Sequence, residues 1–131
     1  MKHPRVLLID DEAAFVANIA ELLERRGYKV STAGNGEDGL RVLKEKSFDV
    51  VVLDLRMPGI SGMDVLREIK TDLKTSPEVI ILTGYATVDS GLEGLELGAF
   101  DYVAKPIRIG DLVERVAEAF HRKMMKEGIV A

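Results

Sequence analysis

Four short apolar runs in this chain each stop on a polar residue, and stretches of helical periodicity separate them. Val6-Leu7-Leu8-Ile9 leads to Asp10-Asp11, Val50-Val51-Val52-Leu53 to Asp54, Val79-Ile80-Ile81-Leu82 to Thr83, and Tyr102-Val103-Ala104 to Lys105. Unbroken runs rich in Val and Ile suit parallel strands buried on both faces. Lys29-Val30-Ser31-Thr32-Ala33 instead alternates polar and apolar, as a half-exposed edge strand does. Strands are therefore expected at 5–9, 29–33, 50–53, 79–82 and 101–104.

Between 12 and 26, Phe15, Ile19, Leu22 and Leu23 share one helical face, and Gly27 is placed to end the helix. Leu40, Leu43 and Val42 point inward from a second helix near 36–46, and Val65, Leu66 and Ile69 from a third near 62–72. The last helix, 109–126, carries Leu112, Val113, Val116 and Phe120 at core spacing. This is an α/β pattern, (βα)₅, a doubly wound five-stranded parallel sheet of flavodoxin-like type with helices on both faces. Right-handed crossovers leave few topologies, and strand order 2-1-3-4-5 is the common one. The fourth helix, near 86–97, contains Gly91 and Gly94, each costing roughly 1 kcal/mol against Ala. They fit either tight packing against a neighbour or a helix kept marginal so that it can shift.

At 131 residues the chain has the length of one domain able to bury an ordinary core. The absence of cysteine excludes disulfides and thiolate metal sites. No apolar run approaches the ~18 residues of a membrane span, and the start resembles no signal peptide, so a cytoplasmic location is expected. A net charge of −4 without a basic stripe speaks against nucleic-acid binding by this chain, and no membrane contact is expected.

In strand order 2-1-3-4-5 the ligand crevice lies beyond the carboxyl ends of strands one and three. Asp10, Asp11 and Asp54 would converge there, and their mutual repulsion calls for a divalent cation. Hard oxygen donors with few protein positions suit Mg²⁺, or Mn²⁺ in its place. If one carboxylate accepts a phosphoryl group, the added negative charge needs a cation, an ammonium and a hydroxyl donor. Thr83 and Lys105 supply the last two. Singly, Asp11 or Glu12 reads as a helix cap, Thr83-Gly84 as turn chemistry and Lys105 as a solvated lysine. Their coincidence at four strand ends favours one joint site.

The segments Leu8-Ile9-Asp10-Asp11-Glu12, Val52-Leu53-Asp54-Leu55-Arg56-Met57-Pro58-Gly59, Leu82-Thr83-Gly84 and Lys105-Pro106, with Gly98-Ala99-Phe100-Asp101-Tyr102, together resemble the receiver domain of bacterial two-component response regulators. The resemblance covers roughly 5–122. It implies that Asp54 is a phosphoacceptor, forming an aspartyl phosphate from the phosphohistidine of a sensor histidine kinase or phosphotransfer protein. It implies Mg²⁺ held by Asp11, Asp54 and the Arg56 carbonyl, with Asp10 helping through water, and a cis peptide bond between Lys105 and Pro106. Lys105 would pair with the phosphoryl oxygens. Thr83 and Tyr102 would move as a switch, biasing the face of the fourth helix, fifth strand and fifth helix toward a partner. Arg56 and Tyr85, two residues past the acceptor and the threonine, would tune phosphate lifetime. Both are bulky, so slow self-dephosphorylation is expected. Such a domain assists its own phosphorylation and dephosphorylation but is not an enzyme.

Other readings have less behind them. Gly34-Asn35-Gly36-Glu37-Asp38-Gly39 matches the dinucleotide fingerprint, but follows an edge strand and puts two acids at the helix N-terminus, against a pyrophosphate. An aspartyl-phosphate hydrolase would carry a second acid where Arg56 stands. His3 and His121 lie in no phosphotransfer context and are read as surface residues. Met124-Met125 is read as end-of-helix packing. The domain is expected over 1–126 with a short tail at 127–131. No output domain is expected within these residues, so the chain is either a stand-alone receiver or the first domain of a larger regulator. A downstream protein partner or output domain is implied, and a homodimer is possible through the same face.

Overall fold

The computed structural model describes residues 3–72 and 76–128. Strand and helix alternate along the chain: β1 (Arg5–Ile9), α1 (Ala13–Arg25), β2 (Lys29–Ala33), α2 (Gly36–Glu45), β3 (Val50–Leu53), α3 (Gly62–Asp72), β4 (Glu78–Thr83), α4 (Val88–Glu96), β5 (Asp101–Ala104) and α5 (Ile109–Lys126). The strands form one parallel sheet in the order β2-β1-β3-β4-β5, as the sequence pattern implies. Of the tail expected at 127–131, residues 129–131 lie outside the described part.

The unbroken apolar runs have a direct physical cause. Alternate residues of one strand enter different cores. Leu7, Ile9, Val51, Leu53, Val79 and Ile81 pack with α2 and α3 residues such as Leu43, Val65 and Leu66. Val6, Leu8, Val50, Val52, Ile80 and Leu82 pack with Val16, Ile19 and Leu23 of α1 and with Leu112 and Val116 of α5. Each fully buried aliphatic side chain contributes about 1.5–3 kcal/mol, so a polar residue inside β1, β3 or β4 would be costly on either face. Edge strand β2 is only partly covered.

Helix boundaries follow local chemistry. Gly27, with φ +93°, stands where α1 ends. In α1, Val16 joins Ile19 and Leu23 in the core, while Phe15 and Leu22 are only half-buried. The inward face is rotated by one residue from the expected one, and Phe15 falls at its rim beside the strand ends. In α5, Ala119, Lys123 and Met124 are buried and Phe120 is half-buried. Met124 therefore packs as expected, whereas Met125 is exposed.

Helix α4 starts at Val88, two residues later than the periodicity suggests, because Thr87 and Ser90 form a capping box that sets its first turn. Its glycines are explained by packing. A Cβ on Gly94 would lie 2.6 Å from Ile81 Cδ1, and one on Gly91 would lie 3.3 Å from the Tyr102 ring. Yet Gly94 is the single buried residue of α4, while Val88, Leu92 and Leu95 are exposed. Close packing and weak anchoring thus coexist in this helix.

At the opposite end of the sheet, buried Glu78 of β4 pairs with Lys126 at 2.8 Å. Lys123 donates to the Ser76 carbonyl and Lys70 to the Pro77 carbonyl, each at 3.1 Å. These bonds tie the ends of α3 and α5 to the start of β4.

Candidate functional site

Strand register assembles the site. Ile9 pairs with Leu53, and the Asp54 amide donates to the Ile9 carbonyl at 3.0 Å, so Asp10 and Asp54 leave the sheet side by side. Thr83 pairs with Ala104, and the Lys105 amide donates to the Thr83 carbonyl at 2.8 Å, placing these two on the next strands. Asp10, Asp54 and Thr83 are all buried. The Lys105–Pro106 peptide bond is cis, as expected.

The Lys105 ammonium lies 2.8 Å from Asp10, 2.6 Å from Glu12 and 3.8 Å from Asp54. Carboxylate oxygens of Asp10, Glu12 and Asp54 all fall within 4.8 Å of one another. Asp11 is outside this group and exposed; it lines a neighbouring 280 Å³ cleft with Thr32, Ala33 and Gly34. Strand alternation accounts for the difference. Asp10 continues the face of Val6 and Leu8, and Asp54 that of Val50 and Val52, whereas Asp11 steps to the other side. The Glu12 amide donates to Asp10 Oδ1 at 2.9 Å, a local turn that carries the Glu12 side chain back over Lys105. Glu12 read from sequence as a helix cap, but its spacing of two from Asp10 was the signal available. The Glu12 side chain makes no cap bond on α1.

Electrostatics follow from one ammonium facing three carboxylates. Burial raises the Asp54 pKa above its ordinary 3.8, and the neighbouring Asp10 charge raises it further. Lys105, the Thr83 side chain and the Arg56 amide oppose the rise without cancelling it. Burial alone would lower the Lys105 pKa, but its bonds to Asp10 and Glu12 and the charges of Asp10 and Asp54 leave it raised. The cluster keeps negative charge beyond what Lys105 neutralises. Hard carboxylate donors at this separation fit a divalent cation.

Thr83 and Tyr102, expected from the sequence to move as a switch, have definite partners. Thr83 Oγ1 accepts the Tyr85 amide at 3.1 Å. The Tyr102 hydroxyl meets the Ser90 hydroxyl and accepts the Thr87 amide at 3.2 Å, so Tyr102 is joined to the capping box of α4. Ser90 had no sequence signal, because its role depends on the packing of α4 against β5. Arg56 lies with its guanidinium carbon 4.3 Å from the Tyr85 ring centroid. Gly62 is a further residue unforeseen from sequence. A Cβ there would overlap the Asp54 carbonyl oxygen, and its amide donates to Leu55 at 2.9 Å, closing the loop after β3.

In the Gly34–Gly39 segment, Gly36 and Gly39 serve packing, while Gly34 faces open space. Cβ atoms on Gly36 would strike Ile60 and Val65, and one on Gly39 would strike Ile9, while Asn35 caps α2 through the Asp38 amide at 2.8 Å.

The sequence profile of the response regulator receiver domain matches residues 6–117. The chain belongs to that family. Its fold is that of solved receiver domains. One from Clostridium thermocellum superposes with a TM-score of 0.85 at 42% identity, covering 93% of this chain and 98% of that one. The Thermotoga maritima response regulator TrrA, solved with Mg²⁺ and BeF, gives 0.78 at 36% identity over 88% and 98% of the two chains. Among curated proteins, the transcriptional regulatory protein ZraR of Klebsiella oxytoca is 37% identical over 125 residues, 95% of this chain. The chain spans 28% of that protein and about half of other curated relatives. Receiver domains are signalling domains of two-component response regulators, and they bind Mg²⁺ at an acidic pocket such as the one formed here by Asp10, Glu12 and Asp54. Among the described residues, no helix is long and apolar enough to cross a membrane.

Proposed function

We propose that this receiver domain is switched by phosphorylation of Asp54, with a sensor histidine kinase or phosphotransfer protein as donor. The observation that carries the reading is a buried carboxylate whose pKa is raised by burial and by Asp10, with Lys105 3.8 Å away. A raised pKa means that the carboxylate, when ionised, is poorly solvated, which suits it to attack phosphorus once a cation offsets repulsion from the incoming group. Lys105 supplies part of that offset and would follow the phosphoryl oxygens from its place between Asp10 and Glu12. Asp10, Asp54 and the Arg56 carbonyl are proposed to hold the cation, joined by Asp11 once its side chain turns in from the neighbouring cleft; Glu12 already lies close enough to Asp10 and Asp54 to take part. When bound, Mg²⁺ neutralises charge on the transferring phosphoryl group. In this way the domain assists its own phosphorylation and dephosphorylation.

Thr83 would then exchange its Tyr85 amide for the phosphoryl group, and Tyr102 would leave Ser90 and turn inward. Release of the Tyr102 bonds would loosen the first turn of α4 and shift a surface formed by α4, β5 and α5. Exposed Val88, Leu92 and Leu95 on α4 support a partner-binding role for that surface. The partner is a downstream protein or output domain, or a second copy of the chain, in the cytoplasm. The receiver is taken to occupy 1–126.

Intact mass after treatment with acetyl phosphate and Mg²⁺ tests the reading. One phosphoryl gain is expected, absent in Asp54→Asn and absent with a chelator. No gain in the unchanged chain would refute it.

A further inference from the structure

At the end of the sheet away from Asp54, three consecutive residues at the start of β4 each hold a lysine. Lys123 donates to the Ser76 carbonyl, Lys70 to the Pro77 carbonyl, and Lys126 pairs with the Glu78 carboxylate. Arg122 stands 4.0 Å from the same Glu78 oxygen, and Glu127 pairs with Lys123 at 3.0 Å. Lys70 is the odd member of this group. Its ammonium is held by a carbonyl and, among the described residues, has no carboxylate at ion-pair distance. Its aliphatic stem runs over Gly98, with Cδ and Cε 3.5 Å from the place a Cβ there would take, and the side chain is half-buried. The charged groups facing it are Glu78 of β4 and Arg122, Lys123 and Lys126 of α5. Burial holds its pKa below the ordinary 10.5; Glu78 opposes this, and the three cations add to it. A lysine serving only as a strut for the Pro77 carbonyl gains nothing from a crowd of like charges.

We propose that Lys70 is a carbon dioxide site, its amine forming a reversible carbamate that Arg122 and Lys126 hold between the ends of α3 and α5. Carbon dioxide reacts with the neutral amine and not with the ammonium, so a lysine kept among cations is the one poised to react. In the step, the lone pair of the Lys70 nitrogen attacks the carbon of carbon dioxide and a nitrogen–carbon bond forms. One carbon–oxygen π pair moves onto oxygen, and the nitrogen gives a proton to water. A positive charge is thereby replaced by a negative one beside three cations. The charges that penalise the ammonium favour the carbamate, so both effects act in one direction. The Arg122 and Lys126 side chains are 59% and 55% exposed, which leaves their head groups room to turn toward the new carboxylate. The carbamate N–H keeps the bond to the Pro77 carbonyl.

The test equilibrates the full chain with ¹³C-labelled bicarbonate at near-neutral pH and traps carbamates by alkylation with triethyloxonium ion. Peptide masses then give the label at each lysine. Occupancy at Lys70 is expected to be about fivefold above that at exposed Lys29 and Lys46. It is expected to fall about twofold in Arg122→Gln, which spares the Lys126–Glu78 pair. In chain unfolded by guanidinium chloride, Lys70 should drop to the level of Lys29, since its reactivity comes from the fold. Occupancy at Lys70 no higher than at Lys29 and Lys46 in the folded chain, or unchanged in Arg122→Gln, overturns the inference and leaves Lys70 a strut.

Discussion

The guanidinium of Arg56 stacks on the ring of Tyr85, its central carbon 4.3 Å from the ring centroid. These are the residues two places beyond Asp54 and Thr83, so the stack stands beside the proposed phosphorylation site. An exposed pair of this kind is worth about 0.5–1 kcal/mol, enough to favour one arrangement without locking it. In the proposed switch, water that hydrolyses the aspartyl phosphate would pass near it. The double variant Arg56→Ala, Tyr85→Ala is expected to lose its phosphoryl group about three- to tenfold faster, a barrier change near 1 kcal/mol. Decay followed by intact mass checks this, and slower decay would count against a shielding role.

Asp54 is a cost to folding while it is ionised. Its folded pKa is raised above 3.8, first by burial and then by Asp10, so the unfolded chain ionises it more readily. Asp54→Asn is therefore expected to be more stable than the unchanged chain at neutral pH without metal. The advantage is full above the folded pKa, shrinks as pH falls through it, and is gone below about 3.8. Urea midpoints measured from pH 7 to pH 4 show whether the two curves converge.

Lys105 has the opposite sign. Its folded pKa is raised, since Asp10 and Glu12 outweigh the effect of burial, so its contribution is present below 10.5 and lost as pH rises through the folded value. Lys105→Met leaves Asp10 and Asp54 buried without their ammonium. Because Glu12 is exposed, the expected loss is moderate, about 1–3 kcal/mol at neutral pH. Phosphoryl uptake should also fall at least tenfold. Added Mg²⁺ should restore more stability to this variant than it adds to the unchanged chain, as thermal melts would show.

Gly94 and Gly110 separate packing from helix propensity. Alanine at Gly94 would gain about 1 kcal/mol of propensity but place a Cβ 2.6 Å from Ile81 Cδ1, and overpacking costs about 1–3 kcal/mol. Gly94→Ala is expected to be destabilised by about 1 kcal/mol. A Cβ on Gly110, near the start of α5, would meet nothing within 4 Å, so Gly110→Ala should gain about 0.5–1 kcal/mol. Denaturant midpoints of the two variants should move in opposite directions.

Tyr102→Phe removes the hydroxyl that meets Ser90 and the Thr87 amide. A loss of about 1 kcal/mol is expected, concentrated in the first turn of α4. Hydrogen exchange should quicken for amides of residues 88–91 and stay unchanged in β1 and β3. Uniform quickening would assign Tyr102 a global structural role instead.

The residue order alone was enough for strand positions, sheet order and the meeting of Asp10, Asp54, Thr83 and Lys105. The reason is local: a strand buried on both faces must be continuously apolar, so its first polar residue marks where it leaves the core. It also left open two readings of α4's glycines, close packing or a helix kept marginal, without separating them. Tertiary structure decided what depends on distance between elements. Alternation at the end of β1 sends Asp11 outward, and a turn returns Glu12 to Lys105. The close approach of α4 to β5 joins Ser90 to Tyr102, and that of the start of α3 to the loop after β3 leaves no room for a side chain at Gly62. Periodicity reports which face a residue occupies; only packing between elements sets which atoms come within a few ångströms.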